Sequence, residues 1–178
     1  MALNPNIFLV GPMGAGKTTI GRRIADIKGM AFVDSDAEIE KRTGVDISFI
    51  FEMEGEEGFR KRERDMIAEL TQMQNVVLAT GGGAVIESAN RDLLSARGVV
   101  VYLQTSLTQQ LSRTKHSRNR PLLAESDDVE ATLAELMEQR DPLYRQIADV
   151  VVQTGDQQAR KLAREIVEQL ETVGNAEL

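Results

Sequence analysis

The stretch GPMGAGKTT, residues 11–19, directly follows the apolar run IFLV and restricts the fold more than any other part of the chain. It matches the phosphate-binding pattern G-x-x-x-x-G-K-[ST] in full, with a predicted strand before it and a predicted helix after it. Glycines let backbone N–H groups converge on a phosphate, and the start of a helix adds the positive end of its dipole. The pattern therefore favours a nucleoside triphosphate site over a turn that only packs a helix against a strand.

Short apolar runs recur along the chain and alternate with segments of helical periodicity. The predicted strands are 6–10, 30–34, 76–80, 98–105 and 148–154, and the helices after the loop helix are 36–43, 48–72, 90–97, 108–113, 128–147 and 158–173. Continuous apolar strands alternating with helices are typical of a parallel sheet covered on both faces. With no repeat or linker, we expect one α/β domain over residues 1–178.

Composition excludes several classes of function. The chain has no cysteine, which removes disulfides, thiolate nucleophiles and cysteine-bound metals, and one histidine, His116, which removes any site needing two imidazoles. Its net charge of −7 disfavours nucleic acid as a partner, and its start resembles neither a signal peptide nor a membrane span. We expect a protein of the reducing cytoplasm, with any positive field for phosphate confined locally.

Two aspartates follow the second predicted strand, in the sequence FVDSD. If the strand continues, Asp34 and Asp36 point the same way at the edge where ligands bind an open α/β sheet. One could then serve the metal's water shell while the other takes a proton from an attacking hydroxyl. Capping of the next helix by Asp34 or Ser35 is the alternative. Because no aspartate ends the third or fourth strand, we assign Mg²⁺ contact to the Thr18 hydroxyl and to Asp34.

The mixed-charge stretch EGEEGFRKRERD, residues 54–65, is typical of a solvent-facing helix surface. We assign Glu56, Lys61, Arg62 and Arg64 to that surface. Arg60 is the exception and a candidate ligand contact.

Three consecutive glycines, Gly81–Gly83, follow the third predicted strand, and a turn rarely needs three. We expect the backbone to approach a small ligand closely there.

Basic residues concentrate in RTKHSRNRP, residues 113–121, despite the negative net charge. A basic loop can close over ATP and present a guanidinium to the transferring phosphoryl group. Arg120, followed by Pro121 and two leucines, is the best anchored candidate, whereas Lys115, His116 and Arg118 read as solvent-exposed. Further along, Pro142 disfavours helix at the residue before it, which predicts a break or kink that aims Arg140 inward.

Taken in order and at their spacing, GPMGAGKTT, FVDSDAEIEKRTG, EGEEGFRKRE, ATGGGAV, RPLL and RDPLY resemble the shikimate kinase family, in particular its bacterial type I members. The similarity runs nearly end to end. It implies a three-layer P-loop kinase fold with a five-stranded parallel sheet of order 2-3-1-4-5. It also implies ATP-dependent phosphorylation of the 3-hydroxyl of shikimate, on the route to chorismate and the aromatic amino acids.

The resemblance implies roles for individual residues. Lys17, Asp36 and Arg120 would be catalytic. ATP would contact Gly14, Ala15, Gly16, Lys17, Thr18, Thr19, Arg113, Arg120 and Gln157. Shikimate would contact Asp36, Arg60, Gly81, Gly82, Gly83 and Arg140, and Mg²⁺ would contact Thr18, where the family commonly has serine. The substrate-binding region would span about 33–62 and the lid about 112–125, in a monomer. Arg60 and Arg140 suit the carboxylate of shikimate, and whether Asp36 is a true base stays open.

Two other functions share parts of this pattern. A kinase of another small acid, such as gluconate, would have the same phosphate loop and lid, but not the pairing of Asp36 with Arg60 and Arg140. A GTP-hydrolysing switch would also have the loop. The guanine-reading NKxD element of such switches is absent from the sequence, which counts against this reading.

Overall fold

Five parallel strands form the centre of the computed structural model, which describes residues 5–115 and 120–176. The strands are β1 (Asn6–Val10), β2 (Ala31–Asp34), β3 (Val76–Ala79), β4 (Gly98–Gln104) and β5 (Val150–Gln153). They pair in the order β2-β3-β1-β4-β5, all parallel. The α/β class predicted from the sequence pattern and the strand order implied by the family resemblance are both confirmed.

Helices cover both faces of this sheet. They are α1 (Lys17–Lys28), α2 (Ser35–Thr43), α3 (Ile47–Leu70), α4 (Ser88–Arg97), α5 (Leu107–Thr114), α6 (Pro121–Ala124), α7 (Val129–Ile147) and α8 (Ala159–Ala176). Within the described ranges, no helix has both the length and the apolar character needed to cross a bilayer.

Two hydrophobic cores lie on opposite faces of the sheet, and alternation along β1 divides its residues between them. Ile7 and Leu9 pack with α1 and α8, whereas Phe8 and Val10 pack with α2, α3, α4 and α7. All five residues of β1 are buried. The unbroken apolar run therefore reflects a central strand that has no solvent-facing side.

Two local predictions are wrong, each for a physical reason, whereas the predicted end of β2 agrees with the structure. Strand β2 ends at Asp34 and α2 begins at Ser35, so the condition that the strand continues to Asp36 is not met. Helix α3 is not continuous, because Gly55 adopts φ 71° and ψ −179° and separates two helical parts. Helix α7 is not broken at Pro142 but runs through it. Pro142 is exposed, so water can reach the carbonyl group that the proline leaves without a helical donor.

Candidate active site

The phosphate loop joins β1 to α1, and its backbone requires glycine. Gly14 and Gly16 have φ values of +79° and +88°, a region that side chains other than glycine rarely adopt. Lys17 begins α1, and its ammonium donates hydrogen bonds to the carbonyl oxygens of Gly11 (2.6 Å) and Pro12 (2.8 Å). Burial lowers the pKa of Lys17 to about 8. The lysine is thus held beneath the loop, close to where phosphates would lie.

Asp34 links the loop to the end of β2. Its Oδ2 accepts a hydrogen bond from the Thr18 hydroxyl at 2.8 Å, and its Oδ1 accepts one from the backbone N–H of Ala37 at 3.1 Å. The second contact makes Asp34 the N-cap of α2, so the capping alternative is confirmed for this residue. The same carboxylate therefore caps a helix and faces the proposed metal position.

A cavity of about 460 Å³ lies over the phosphate loop. All nine predicted ATP contacts line it, namely Gly14, Ala15, Gly16, Lys17, Thr18, Thr19, Arg113, Arg120 and Gln157. Arg113 braces the cavity by donating to the carbonyl oxygens of Gly14 (2.7 Å) and Gly155 (3.3 Å). The loop after β1 is thereby tied to the loop after β5, on the side of the cavity where Gln157 lies.

A second cavity, of about 100 Å³, adjoins the first. All six predicted shikimate contacts line it, namely Asp36, Arg60, Gly81, Gly82, Gly83 and Arg140. Asp36 reaches it from the first turn of α2 rather than from a strand. Arg140 lies on the buried face of α7, together with Leu133, Tyr144 and Ile147, so helical periodicity alone aims it inward.

The three glycines after β3 leave room for neighbouring side chains. A Cβ on Gly81 would lie 2.7 Å from Oδ1 of Asp36 and 2.9 Å from a carboxylate oxygen of Glu63. A Cβ on Gly83 would lie 2.5 Å from Nη1 of Arg60. At Gly82 the nearest atom would be 3.4 Å away. The sequence predicted space for a ligand, but at Gly81 and Gly83 charged side chains of the site fill that space.

Glu63 is a site residue that the sequence analysis missed. It is completely buried in α3, and its carboxylate accepts a hydrogen bond from Nη1 of Arg60 at 3.0 Å. Glu56, assigned above to the solvent face, is half exposed and also pairs with Arg60, at 3.3 Å. The two glutamates fix the Arg60 guanidinium from two sides. The sequence signal that could have revealed Glu63 is its i, i+3 spacing from Arg60, which places both residues on one helix face.

Asp36 and Glu63 bring two carboxylates together beside Gly81. Burial and, second to it, the charge of Glu63 raise the pKa of Asp36 to about 7, with Lys17 and Arg60 opposing the shift. Burial also raises the pKa of Glu63. Within residues 5–115 and 120–176, nothing donates a hydrogen bond to Oδ1 of Asp36 or to Oε2 of Glu63. Near neutral pH, Asp36 is therefore balanced between its acid and its carboxylate forms.

Comparison with known proteins shows the family to which the chain belongs. The family model described as shikimate kinase matches residues 13–171, which is most of the chain. The chain belongs to the shikimate kinase family.

Individual members of this family are similar to the chain over nearly its whole length. A shikimate kinase of Halorhodospira halophila is 62% identical over 165 residues, covering 93% of both chains. The solved structure of a shikimate kinase from Acinetobacter baumannii in complex with shikimate superposes with a TM-score of 0.93 at 50% identity. It covers 95% of this chain and 94% of that one. The activity of this shikimate kinase is ATP-dependent phosphorylation of shikimate.

The small-acid kinase considered as an alternative shares only the fold. A gluconokinase from Sinorhizobium meliloti superposes with a TM-score of 0.63 at 17% identity. At that identity the architecture alone is shared. The family match likewise rules against a GTP-hydrolysing switch, which the missing guanine-reading element already disfavoured.

The donor set around Thr18 fits a magnesium ion bound mainly through nucleotide phosphates. One hydroxyl and one carboxylate, 2.8 Å apart, line the cavity over the loop. Among the described residues there is no group of three or more acidic or histidine side chains suited to hold a metal. Mg²⁺ usually keeps several waters and takes only one or two protein carboxylates beside substrate phosphates, so this sparse set is adequate.

Two residues predicted to be solvent-exposed, His116 and Arg118, lie outside the described residues.

Proposed function

We propose that this shikimate kinase transfers the γ-phosphoryl group of ATP to the 3-hydroxyl of shikimate across the wall between its two cavities, giving shikimate 3-phosphate and ADP. The supporting observation is that the two cavities share Met13, Asp36, Gly81, Gly82 and Arg120. Such a shared wall is where a phosphoryl group would pass from one substrate to the other. Phosphoryl transfer depends mainly on positioning and charge neutralisation, which these residues can supply.

On the nucleotide side, the loop backbone from Gly14 to Thr19 would hold the phosphates, and Lys17 would neutralise the β and γ charges. Lys17 would exchange its bonds to Gly11 and Pro12 for phosphate oxygens, and the phosphate charge would keep it protonated. Thr18 and Asp34 would hold Mg²⁺, which supplies neutralisation of phosphate charge when bound. Arg113 and Gln157 would border the adenine.

On the acid side, Arg60 and Arg140 would bind the carboxylate of shikimate. Arg60 is 9% exposed and Arg140 is 5% exposed, so their bonds to an anion would be little weakened by water. Asp36 and the backbone N–H of Gly82 would bind hydroxyl groups. Gly81 and Gly83 would contribute by leaving room for the charged side chains.

Asp36 would accept a hydrogen bond from the 3-hydroxyl and take its proton as the new O–P bond forms. Its raised pKa, about 7, suits proton transfer at neutral pH. Arg120 lines both cavities and would neutralise charge on the phosphoryl group during transfer. Residues 33–62 would act as the substrate-binding region and residues 112–125 as the lid, of which the structure describes 112–115 and 120–125.

We also propose that the chain works as a monomer in the cytoplasm. Both cavities are lined by residues of one chain, so no second copy is needed to complete the site. The absence of cysteine is compatible with a reducing compartment.

The test is ADP release measured by a coupled assay with shikimate, gluconate or no acceptor, and with ATP or GTP. Release that requires shikimate and prefers ATP is expected, and the product should be identified as the 3-phosphate by phosphorus NMR. Release that is unchanged without shikimate would contradict the proposal.

A further inference from the structure

Tyr144 lies one helical turn after Arg140, and both residues line the same small space beside the phosphate loop. The two residues are spaced i, i+4 on the buried face of α7. The Tyr144 hydroxyl donates a hydrogen bond to the carbonyl oxygen of Gly82 at 2.5 Å, across 62 residues of sequence. We infer that Tyr144 is a positioning residue, which fixes the Gly82 peptide and the Arg140 guanidinium in the geometry that shikimate requires. The inference rests on the shikimate site proposed above.

The ring of Tyr144 is held rigidly. It is completely buried, and its centroid lies 4.9 Å from that of Tyr102 in β4. Tyr102 is itself fixed, because its hydroxyl donates to Oδ1 of Asp141 at 2.6 Å. Since the ring cannot swing away, the hydroxyl at its end is a fixed point in the site.

Gly82 needs such a fixed point, because it has no side chain that packing could hold. Three hydrogen bonds hold the segment. The N–H of Gly81 donates to the hydroxyl of Ser35 at 3.2 Å, the carbonyl of Gly81 accepts from the N–H of Ala84 at 3.1 Å, and the carbonyl of Gly82 accepts from Tyr144. The N–H of Gly82, the proposed donor to shikimate, lies between these anchors. Tyr144 is the only one of the three partners that holds the carbonyl of Gly82, so its loss would loosen the donor on that side and change its direction.

Tyr144 also lies near Arg140, since both line the small space between α7 and the phosphate loop. Burial lowers the pKa of Arg140, and the neighbouring Tyr144 opposes that shift. A Cβ on Gly82 would lie 3.6 Å from Nη1 of Arg140. Burial raises the pKa of Tyr144 to about 12, so the hydroxyl keeps its proton and remains a donor at neutral pH.

Tyr144→Phe tests this inference, with Tyr102→Phe as the matched control. Both variants remove one hydroxyl from the same pair of buried rings, but only Tyr144 contacts Gly82. We expect Tyr144→Phe to raise the KM for shikimate about fivefold to tenfold, the effect of losing one buried hydrogen bond, with the KM for ATP unchanged. Tyr102→Phe should lower the melting temperature yet leave both KM values near wild type.

Equal changes in the two tyrosine variants, or an equal loss of affinity for both substrates, would overturn the inference. Ser35→Ala, which removes the hydrogen bond to the N–H of Gly81, should also weaken shikimate binding selectively, and no effect there would count against the anchoring role. Arg140→Ala distinguishes a failure of the proposed shikimate site from a failure of the role inferred for Tyr144. If it leaves the KM for shikimate unchanged, the proposed site itself is wrong; if it raises that KM while Tyr144→Phe does not, only the inference fails.

Discussion

The charge of a single carboxyl group, that of Asp36, links stability to chemistry in this site. Its folded pKa of about 7 lies above the ordinary value of 3.8, because burial and the nearby Glu63 and Asp34 disfavour the charged form. Lys17 and Arg60 oppose these effects only in part. A raised carboxyl pKa means that the folded state holds its proton more tightly than the unfolded state, so stability is lost as pH rises from about 4 through about 7.

We therefore predict that Asp36→Asn stabilises the substrate-free protein while it lowers kcat. The gain in melting temperature over wild type should grow between pH 5 and pH 7 and then level off. Because asparagine cannot take a proton, kcat should fall roughly 100-fold or more. Thermal unfolding across this pH range and steady-state kinetics measure the two effects. Asp26→Asn, at an exposed position on α1, is the control and should change neither.

Arg140 carries the second prediction at this scale. Arg140→Ala should raise the KM for shikimate roughly 10- to 100-fold, the loss of a buried charge-assisted hydrogen bond, with the KM for ATP close to wild type. Arg145→Ala is a matched control on the same helix, since that residue is about half exposed and pairs with Asp141. An equal loss of affinity for ATP would show that Arg140 supports the fold rather than the acid.

Among the elements, the turn after β3 is closely packed against charged side chains of the site. The Cβ of an alanine at position 83 would overlap the Arg60 guanidinium, which Glu63 and Glu56 hold from two sides. Gly83→Ala should displace that guanidinium and raise the KM for shikimate by about tenfold, with ATP binding unchanged. Gly174→Ala, in α8 with no atom within 4 Å of the new Cβ, is the control. Normal shikimate kinetics in Gly83→Ala would mean that Arg60 moves freely or does not bind the acid.

Elements with strong local signals could be predicted from the sequence, and long-range partnerships could not. The phosphate loop and β1 carry their own patterns, a glycine motif and an unbroken apolar run. Glu63 carries only its i, i+3 spacing from Arg60, because its burial depends on where α3 packs and on the absence of a side chain at Gly81. Pro142 misled the prediction because a proline on the exposed face of a helix can be tolerated where water satisfies the freed carbonyl.

At the scale of the whole molecule, we expect the shared wall to make binding of the two substrates interdependent. Asp36 and Arg120 face both cavities, and burial lowers the pKa of Arg120 while Asp36 opposes that shift. A bound nucleotide would bring negative charge next to Arg120 and Lys17, and this charge would change the electrostatic potential at the proposed shikimate site. Coupling between two sites is reciprocal, so each ligand must alter the affinity for the other by the same factor.

Calorimetric titration of shikimate, with and without a non-hydrolysable ATP analogue, measures this coupling. We predict a change in affinity of roughly fivefold or more, with the same factor when the analogue is titrated with and without shikimate. Arg120→Ala should bring the factor close to one, because the guanidinium that lines both cavities is lost. Arg113→Ala, which alters only the nucleotide cavity, should weaken the analogue yet preserve the coupling factor. A factor of one in the wild type would mean that the two cavities bind independently, and the shared wall would then act only on the transferring group.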